Sequence, residues 1–319
     1  MTIKIVDAGR RKAPTSGYGL MSEQFGERLK AYGHDIHYFD QDPTKKADMW
    51  LWIRPPHYAK EKYFDETNFN VFFTMHEKET FEGWKKDWPE TLNKCNAIIT
   101  PTEWNKGVFS REGVTVPIYV CPLGVNTKIF KGYKNRRFAM MSAYDGLGSN
   151  GSRENWKENI ETYYETFYDN YNADVVYTQK SWRVDHYAWV GWRDKLIGEK
   201  GYDRAKLPEV QVMEIDLVPQ DFNLLYAKHH VFVKNSRGEG WSLPTLEALS
   251  CGLRIISQHT PAMVFLNDIN TDFFNNKNEL KDKMWENYRR WRKIRVAVDQ
   301  WSWRESAKKL AIIIDNVKT

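Results

Sequence analysis

The chain has 319 residues, 41% of them hydrophobic, with 47 Lys and Arg against 42 Asp and Glu for a formal charge of +5. That length exceeds what one core usually covers, so two domains are expected. Cys95, Cys121 and Cys251 stand at no metal-ligand spacing, which argues against a disulfide framework or a zinc site and for reduced thiols in a cytoplasmic setting.

The start, "MTIKIVDAGRR", enters a strand pattern directly, without a signal-peptide apolar core, and no run approaches about 18 apolar residues. Integral membrane association is therefore not expected. In chain order, "TIKIVDA", "HDIHYFD", "ADMWLWI", "NVFFTMH", "AIITPT" and "PIYVCPLG" read as strands, with helices after Gly17 and from Phe81 and Glu103. After the turn-rich "GVNTKIFKGYKNRR" the rhythm restarts. "FAMMSAY", "ADVVYTQ", "EVQVMEI", "HVFVKNS" and "LRIISQ" alternate with helices from Asn155, near Asp185, from Pro219 and after Pro244. Such βα repetition predicts parallel sheets covered by helices on both faces. The predicted division is a Rossmann-like first domain over 1–130, a Rossmann-like second domain over 131–277, and a Trp- and Arg-rich helical tail over 278–319 packing back toward the first. Two doubly wound domains facing across a cleft place their strand ends, where ligands bind, on either side of it. The fold class expected is thus α/β.

Several stretches carry candidate chemistry. "AGRRKAPTSGYG" puts Arg10, Gly17, Tyr18 and Gly19 around a helix start, where backbone N–H groups can face an anion; a plain structural turn fits the same residues. "DQD", Asp40 to Asp42, could clamp a hard cation or simply turn the chain after a strand. "FFTMHE" sets His76 at the carboxyl end of the fourth strand, as a cleft residue or a structural one, with Glu77 and Glu79 behind it. The 14 Trp residues can stack on sugars or bases as readily as fill a core. Arg10, Arg11 and Lys12, "WIRPPHYAKEKY" and "YRRWRKIR" interleave cations with aromatics, as a nucleic-acid groove or an ordinary solvated face would. Last, "GEGWSLPTLEALSCGLRIIS" carries Glu247 on the same helical stripe as Leu243 and Cys251, a costly place for a carboxylate that nothing hydrogen-bonds.

"SRGEGWSLPTLEALSCGLRIIS" resembles the E-x7-E signature of the retaining nucleotide-sugar glycosyltransferases of the GT-B fold, family 4. "FTMHEKETFEGWKKDWPETLNKCNAIITPTEWNKGVF" with "GVTVPIYVCPLGVNTKIF" is similar to the end of that family's first domain, and "SWRESAKKL" to its terminal helix. The resemblance implies a metal-independent hexosyl- or pentosyltransferase with no cofactor beyond a nucleoside-diphosphate sugar, UDP-sugar favoured. It implies that Glu239 meets donor-sugar hydroxyls, that Glu247 accepts from the nucleotide ribose, and that His76 touches the sugar near the reacting carbon. Gly238, Gly240, Trp241, Ser242 and Leu243 would bind the donor, with the backbone N–H groups around Gly240 to Thr245 facing the diphosphate, and Gly17 and Gly19 match the family's first-domain glycine loop.

One departure stands out. Where the family presents an Arg and a Lys for the leaving diphosphate, this chain reads "SAYDGLGSNGSRENW", with Glu154 at the Lys position. Arg153 is the substitute cation, with Lys157, Lys180, Arg183 and Arg237 as alternatives. The acceptor stays open between a hydroxymethylated base in phage duplex DNA, which would place the protein in a host cytoplasm, and a surface polysaccharide or lipid-linked glycan. A catalytically silent nucleotide-sugar or nucleic-acid binding protein is the reading from another class.

Overall fold

The computed structural model describes residues 1–7, 17–57, 64–130, 137–147, 155–170, 173–215, 217–266, 270–291 and 298–318. The chain forms two units. Unit 1 holds Met1–Val125, Glu239–Leu243 and Asp299–Thr319; unit 2 holds Asn126–Gly238 and Pro244–Val298.

Unit 1 contains β1 (Thr2–Asp7), α1 (Gly17–Leu29), β2 (Asp35–Tyr38), β3 (Met49–Ile53), β4 (Asn70–Phe73), α2 (Trp88–Leu92), β5 (Ala97–Thr100), α3 (Glu103–Arg111) and β6 (Ile118–Val120). The strands form one sheet in the order β2-β1-β3-β4-β5-β6, with every recorded pairing parallel. β4 and β5, "NVFF" and "AIIT", are buried at every position, as a sheet covered on both faces requires. Strand order reverses between β1 and β3, where Asp7 pairs with Ile53. In open α/β sheets that switch point, at the carboxyl ends, is where ligands bind.

Unit 2 contains β7 (Phe138–Leu147), α4 (Trp156–Phe167), β8 (Val175–Val184), α5 (His186–Lys200), β9 (Glu209–Glu214), α6 (Pro219–Ala227), β10 (Val231–Lys234), α7 (Leu243–Ser250), whose first residue clusters with unit 1, β11 (Arg254–Gln258), β12 (Thr271–Phe274) and α8 (Lys277–Arg289). Its parallel sheet runs β12-β11-β10-β7-β8-β9, so the reversal falls between β7 and β10. β12, "TDFF", is the one strand that the sequence reading omits among those described.

The tail departs from its expected single destination. α8 packs on α4 and β12 in unit 2, burying Leu280 and Met284, and Lys277 bridges to Glu161 and Glu165 of α4 at 2.8 and 2.9 Å. α9 (Trp303–Lys318) packs instead on α1 in unit 1. Its buried Trp303, Ala307, Leu310, Ala311 and Ile314 recur at helical spacing, and Trp303 meets Phe25 of α1 edge-on at 5.3 Å. Much of the Trp load is core: Trp52, Trp88, Trp156, Trp189 and Trp303 are all buried.

α9 is tied to the end of the first βα run through Gly124. Val125 N–H donates to Trp301 O at 2.7 Å, Trp303 N–H donates to Val125 O at 3.3 Å, and a Cβ on Gly124 would overlap the backbone of Ser302 and Trp303. Backbone cannot rotate aside, so Gly124→Ala is expected to destabilise by about 1–3 kcal/mol, lowering Tm by several degrees. A thermal melt indistinguishable from the wild type would show that α9 is not held there.

Candidate active site

In unit 1, three successive backbone N–H groups at the carboxyl end of β4 are each captured by a different element. Thr74 N–H donates to Ile99 O of β5 at 3.0 Å, Met75 N–H to the Tyr18 hydroxyl of α1 at 3.2 Å, and His76 N–H to Asn105 Oδ1 of α3 at 2.6 Å. The turn 74–76 is therefore a rigid wall rather than an anion cradle. The Tyr18 hydroxyl also pairs with Thr74 Oγ1 at 3.2 Å, and burial pushes the phenol up to about 12.

The segment Glu239–Leu243 of unit 1 lies against this wall. A Cβ on Gly240 would come 2.9 Å from Met75 Cγ and 3.1 Å from His76 O, so only glycine fits. Asn105 Nδ2 donates to Gly240 O at 3.4 Å. Glu239 is 5% exposed, and Trp241 and Ser242 are buried beside it. Gly17 is exposed at the start of α1, Gly19 is buried, and a Cβ on Gly17 would sit 3.8 Å from Leu243 Cδ1, ordinary contact.

His76 lies three residues beyond β4. Its ring is buried, with Nε2 donating to Thr80 O at 2.9 Å and Nδ1 facing Lys85 Nζ at 3.4 Å. Phe81 and Trp88 contact it edge-on at 4.9 and 5.7 Å. Desolvation, opposed by the Thr80 carbonyl and assisted by Lys85, lowers its pKa and keeps it neutral. Both ring nitrogens thus face protein groups, Thr80 O and Lys85 Nζ.

In unit 2 the carboxyl end of β10 is locked at the switch point. The Tyr144 hydroxyl of β7 accepts from Asn235 N–H at 3.0 Å and from Asn159 Nδ2 at 2.6 Å. Asn155, at the start of α4, donates from its backbone to Asn235 O at 2.9 Å and from Nδ2 to Asn235 Oδ1 at 3.0 Å. Asn235 Nδ2 completes the set on Glu158 Oε1 at 3.3 Å. From this anchor the chain leaves through Ser236, whose hydroxyl donates to Gly238 O at 3.0 Å, while Arg237 projects into solvent. The sequence puzzle at Glu247 has an internal answer. The Tyr226 hydroxyl of α6 donates to Glu247 Oε2 at 3.1 Å, but one donor does not offset desolvation, which pushes the carboxyl up to about 8.

Of the expected diphosphate cations, Lys180 is 0% exposed inside unit 2, its Nζ 5.1 Å from the Phe222 ring, so it is a core cation rather than a surface one. Lys157 is exposed with Nζ 5.5 Å from Trp156. Lys234, which the sequence reading passed over, ends β10 beside the switch point, 4% exposed and 5.2 Å from the Tyr144 ring. Arg10, Arg153 and the side chain of Arg183 lie outside the described residues. Asp42 accepts from Thr44 N–H and Lys45 N–H at 3.1 Å each, which is turn chemistry. Among the described residues no group of His, Cys, Asp and Glu is arranged to hold a metal ion, and no helix is long and apolar enough to cross a membrane.

No protein-family model and no curated protein matches the sequence. Solved structures do. A sucrose-phosphate synthase from Thermosynechococcus elongatus superposes with a TM-score of 0.73 at 11% identity, covering 99% of each chain. Anabaena Alr3699/HepE in complex with UDP and glucose gives 0.71 at 10% identity, again over 99% of each chain. A trehalose-6-phosphate structure from E. coli bound with UDP-2-fluoro glucose gives 0.69 at 10% identity, over 100% of this chain and 99% of the other. At such identity the likeness establishes the fold, which is GT-B: two doubly wound parallel α/β units in one chain.

Proposed function

We propose that the protein is a glycosyltransferase that moves a sugar from a nucleoside-diphosphate sugar, UDP-sugar in the first instance, to an acceptor hydroxyl with retention of configuration and without a metal. The observation that carries this reading is the placement of the Ser236–Glu239 segment. It issues from the carboxyl end of β10 at the strand-order reversal of a doubly wound sheet, the position where such sheets bind nucleotides. The fold shared with structures bound to UDP and glucose, and to UDP-2-fluoro glucose, supports the same class of donor.

In this reading Glu239 accepts from donor-sugar hydroxyls and Glu247 from the ribose, each charged hydrogen bond worth about 1.5–3 kcal/mol. The N–H groups from Gly240 to Thr245, at the start of α7, face the diphosphate, with Arg237 and Arg153 as cations for the departing charge. Departure of a nucleoside diphosphate from an oxocarbenium-like centre depends more on such stabilisation than on a strong base. The acceptor hydroxyl then attacks on the face the diphosphate leaves, and a donor phosphate oxygen takes its proton.

For the acceptor we propose DNA bearing a hydroxymethylated base. Arg289 and Arg290 at the end of α8 are exposed beside Trp291, which is 37% exposed and meets His230 edge-on at 4.7 Å, and such neighbouring cations and aromatic suit a phosphate backbone and a base. The test has two arms. UDP release from UDP-glucose and UDP-N-acetylglucosamine, without acceptor, separates an enzyme from a silent binder. Stimulation of that release by hydroxymethylated duplex DNA, with affinity that falls as salt rises, supports the DNA acceptor; stimulation by a lipid-linked glycan instead removes it.

A further inference from the structure

We infer that Asn105 is a positioning residue that sets the backbone carrying Glu239, by bridging the β4 turn and the Glu239–Leu243 segment with a single carboxamide. The inference rests on the glycosyltransferase reading for its kinetic consequence, not for its geometry.

"TEWN" makes Asn105 the third residue of α3. Thr102 caps the helix, its hydroxyl accepting from Asn105 N–H at 3.1 Å and from Asn105 Nδ2 at 3.2 Å. That places the carboxamide, 0% exposed, at the carboxyl end of β4 and β5. Its oxygen accepts the His76 N–H at 2.6 Å and its nitrogen donates to Gly240 O at 3.4 Å, across 135 residues of sequence. Because His76 N–H can only donate, the amide orientation is fixed, and Nδ2 is necessarily turned toward Gly240 O. A side chain on Gly240 has no room either, since a Cβ there would come 2.9 Å from Met75 Cγ and 3.1 Å from His76 O. One side chain thus fixes the carbonyl that follows Glu239, and an error there is carried directly to the Glu239 carboxylate.

Asn105→Asp keeps shape and the acceptor for His76 N–H but turns the donor toward Gly240 O into a second oxygen, which repels it. Hydrogen exchange of the 239–243 amides is expected to accelerate at least roughly tenfold in this variant. The kcat for UDP release from UDP-glucose should fall roughly 10- to 100-fold, the size expected for a misplacement of about 1 Å, with UDP affinity within about twofold of the wild type. Activity should return as pH falls and the introduced carboxyl regains a proton to donate, a limb absent from the wild-type profile. Unchanged exchange at 239–243 would overturn the inference. So would parallel loss of Tm, kcat and UDP affinity without the new acid limb, which marks a merely structural role. If the wild type releases no UDP while the exchange rate still responds to the substitution, the positioning stands and the enzymatic reading fails.

Discussion

Glu239→Gln is expected to lower UDP release from a UDP-sugar by about 10²- to 10³-fold while leaving the fold and UDP affinity nearly unchanged. The amide keeps the volume of the carboxylate and one acceptor oxygen, so packing beside Trp241 and Ser242 is preserved. What it loses is charge, and a hydrogen bond from a sugar hydroxyl to a charged acceptor is roughly twice as strong as to a neutral one. Donor-sugar hydroxyls become more acidic as positive charge develops on the ring, so that difference grows toward the transition state and appears in kcat. In the proposed function Glu239 meets the sugar and not the nucleotide end of the donor, so UDP binding measured calorimetrically should hold. A variant with wild-type turnover would remove Glu239 from the chemistry and with it the centre of the proposed function.

Legibility in the sequence followed burial. β4 and β5 are apolar runs bounded by polar turns, and a strand buried on both faces has no other way to look. β12 escaped because "TDFF" offers two aromatics and no β-branched aliphatic, and three of its four positions are only partly buried. The tail was readable as helix but not as two destinations, since Leu280 and Met284 on α8 and Leu310 and Ile314 on α9 are equally apolar and only three-dimensional partners distinguish them.

The candidate site divides the same way. The role expected of Glu239 came from the resemblance to the E-x7-E signature, whereas Glu247 announced itself as a carboxylate on an apolar helical stripe. Asn105 did not, because its two long-range partners are backbone atoms of His76 and Gly240, which carry no side-chain signature. His76 was placed at its strand end correctly by position alone, yet its partners, Thr80 O and Lys85, are only 4 and 9 residues away. Lys180 shows the limit of strand alternation: the pattern of β8 does not say which face is covered, and Phe222 of α6 covers this one.

Glu247 carries the second large expectation, in pH dependence. Burial pushes its folded pKa up to about 8, well above the ordinary glutamate value of 4.5 expected in an unfolded chain, with the Tyr226 hydroxyl pulling the other way. Between those values the folded protein keeps a proton that the unfolded chain has lost, so stability from this group is complete below about pH 4.5, declines as pH rises and is gone above about pH 8. Glu247→Gln has no proton to lose. Relative to the wild type it should therefore gain stability from pH 5.5 to 8.5, with a ceiling of about 3.5 kcal/mol set by the interval up to about pH 8 at about 1.4 kcal/mol per pH unit. Partial exposure of the residue brings the expected gain to about 1–3 kcal/mol, readable as denaturant midpoints at the two pH values. The same proton reports on the ligand. Ribose hydroxyls donate best to the ionised carboxylate, so UDP binding near pH 7 should release a proton and tighten as pH rises toward 8, whereas Glu247→Gln should bind more weakly and without proton release. Calorimetry in two buffers of different ionisation enthalpy measures this directly. Equal apparent enthalpies for the wild type in both buffers would mean that Glu247 does not meet the nucleotide, and its raised pKa would then belong to the packing of α6 on α7 alone.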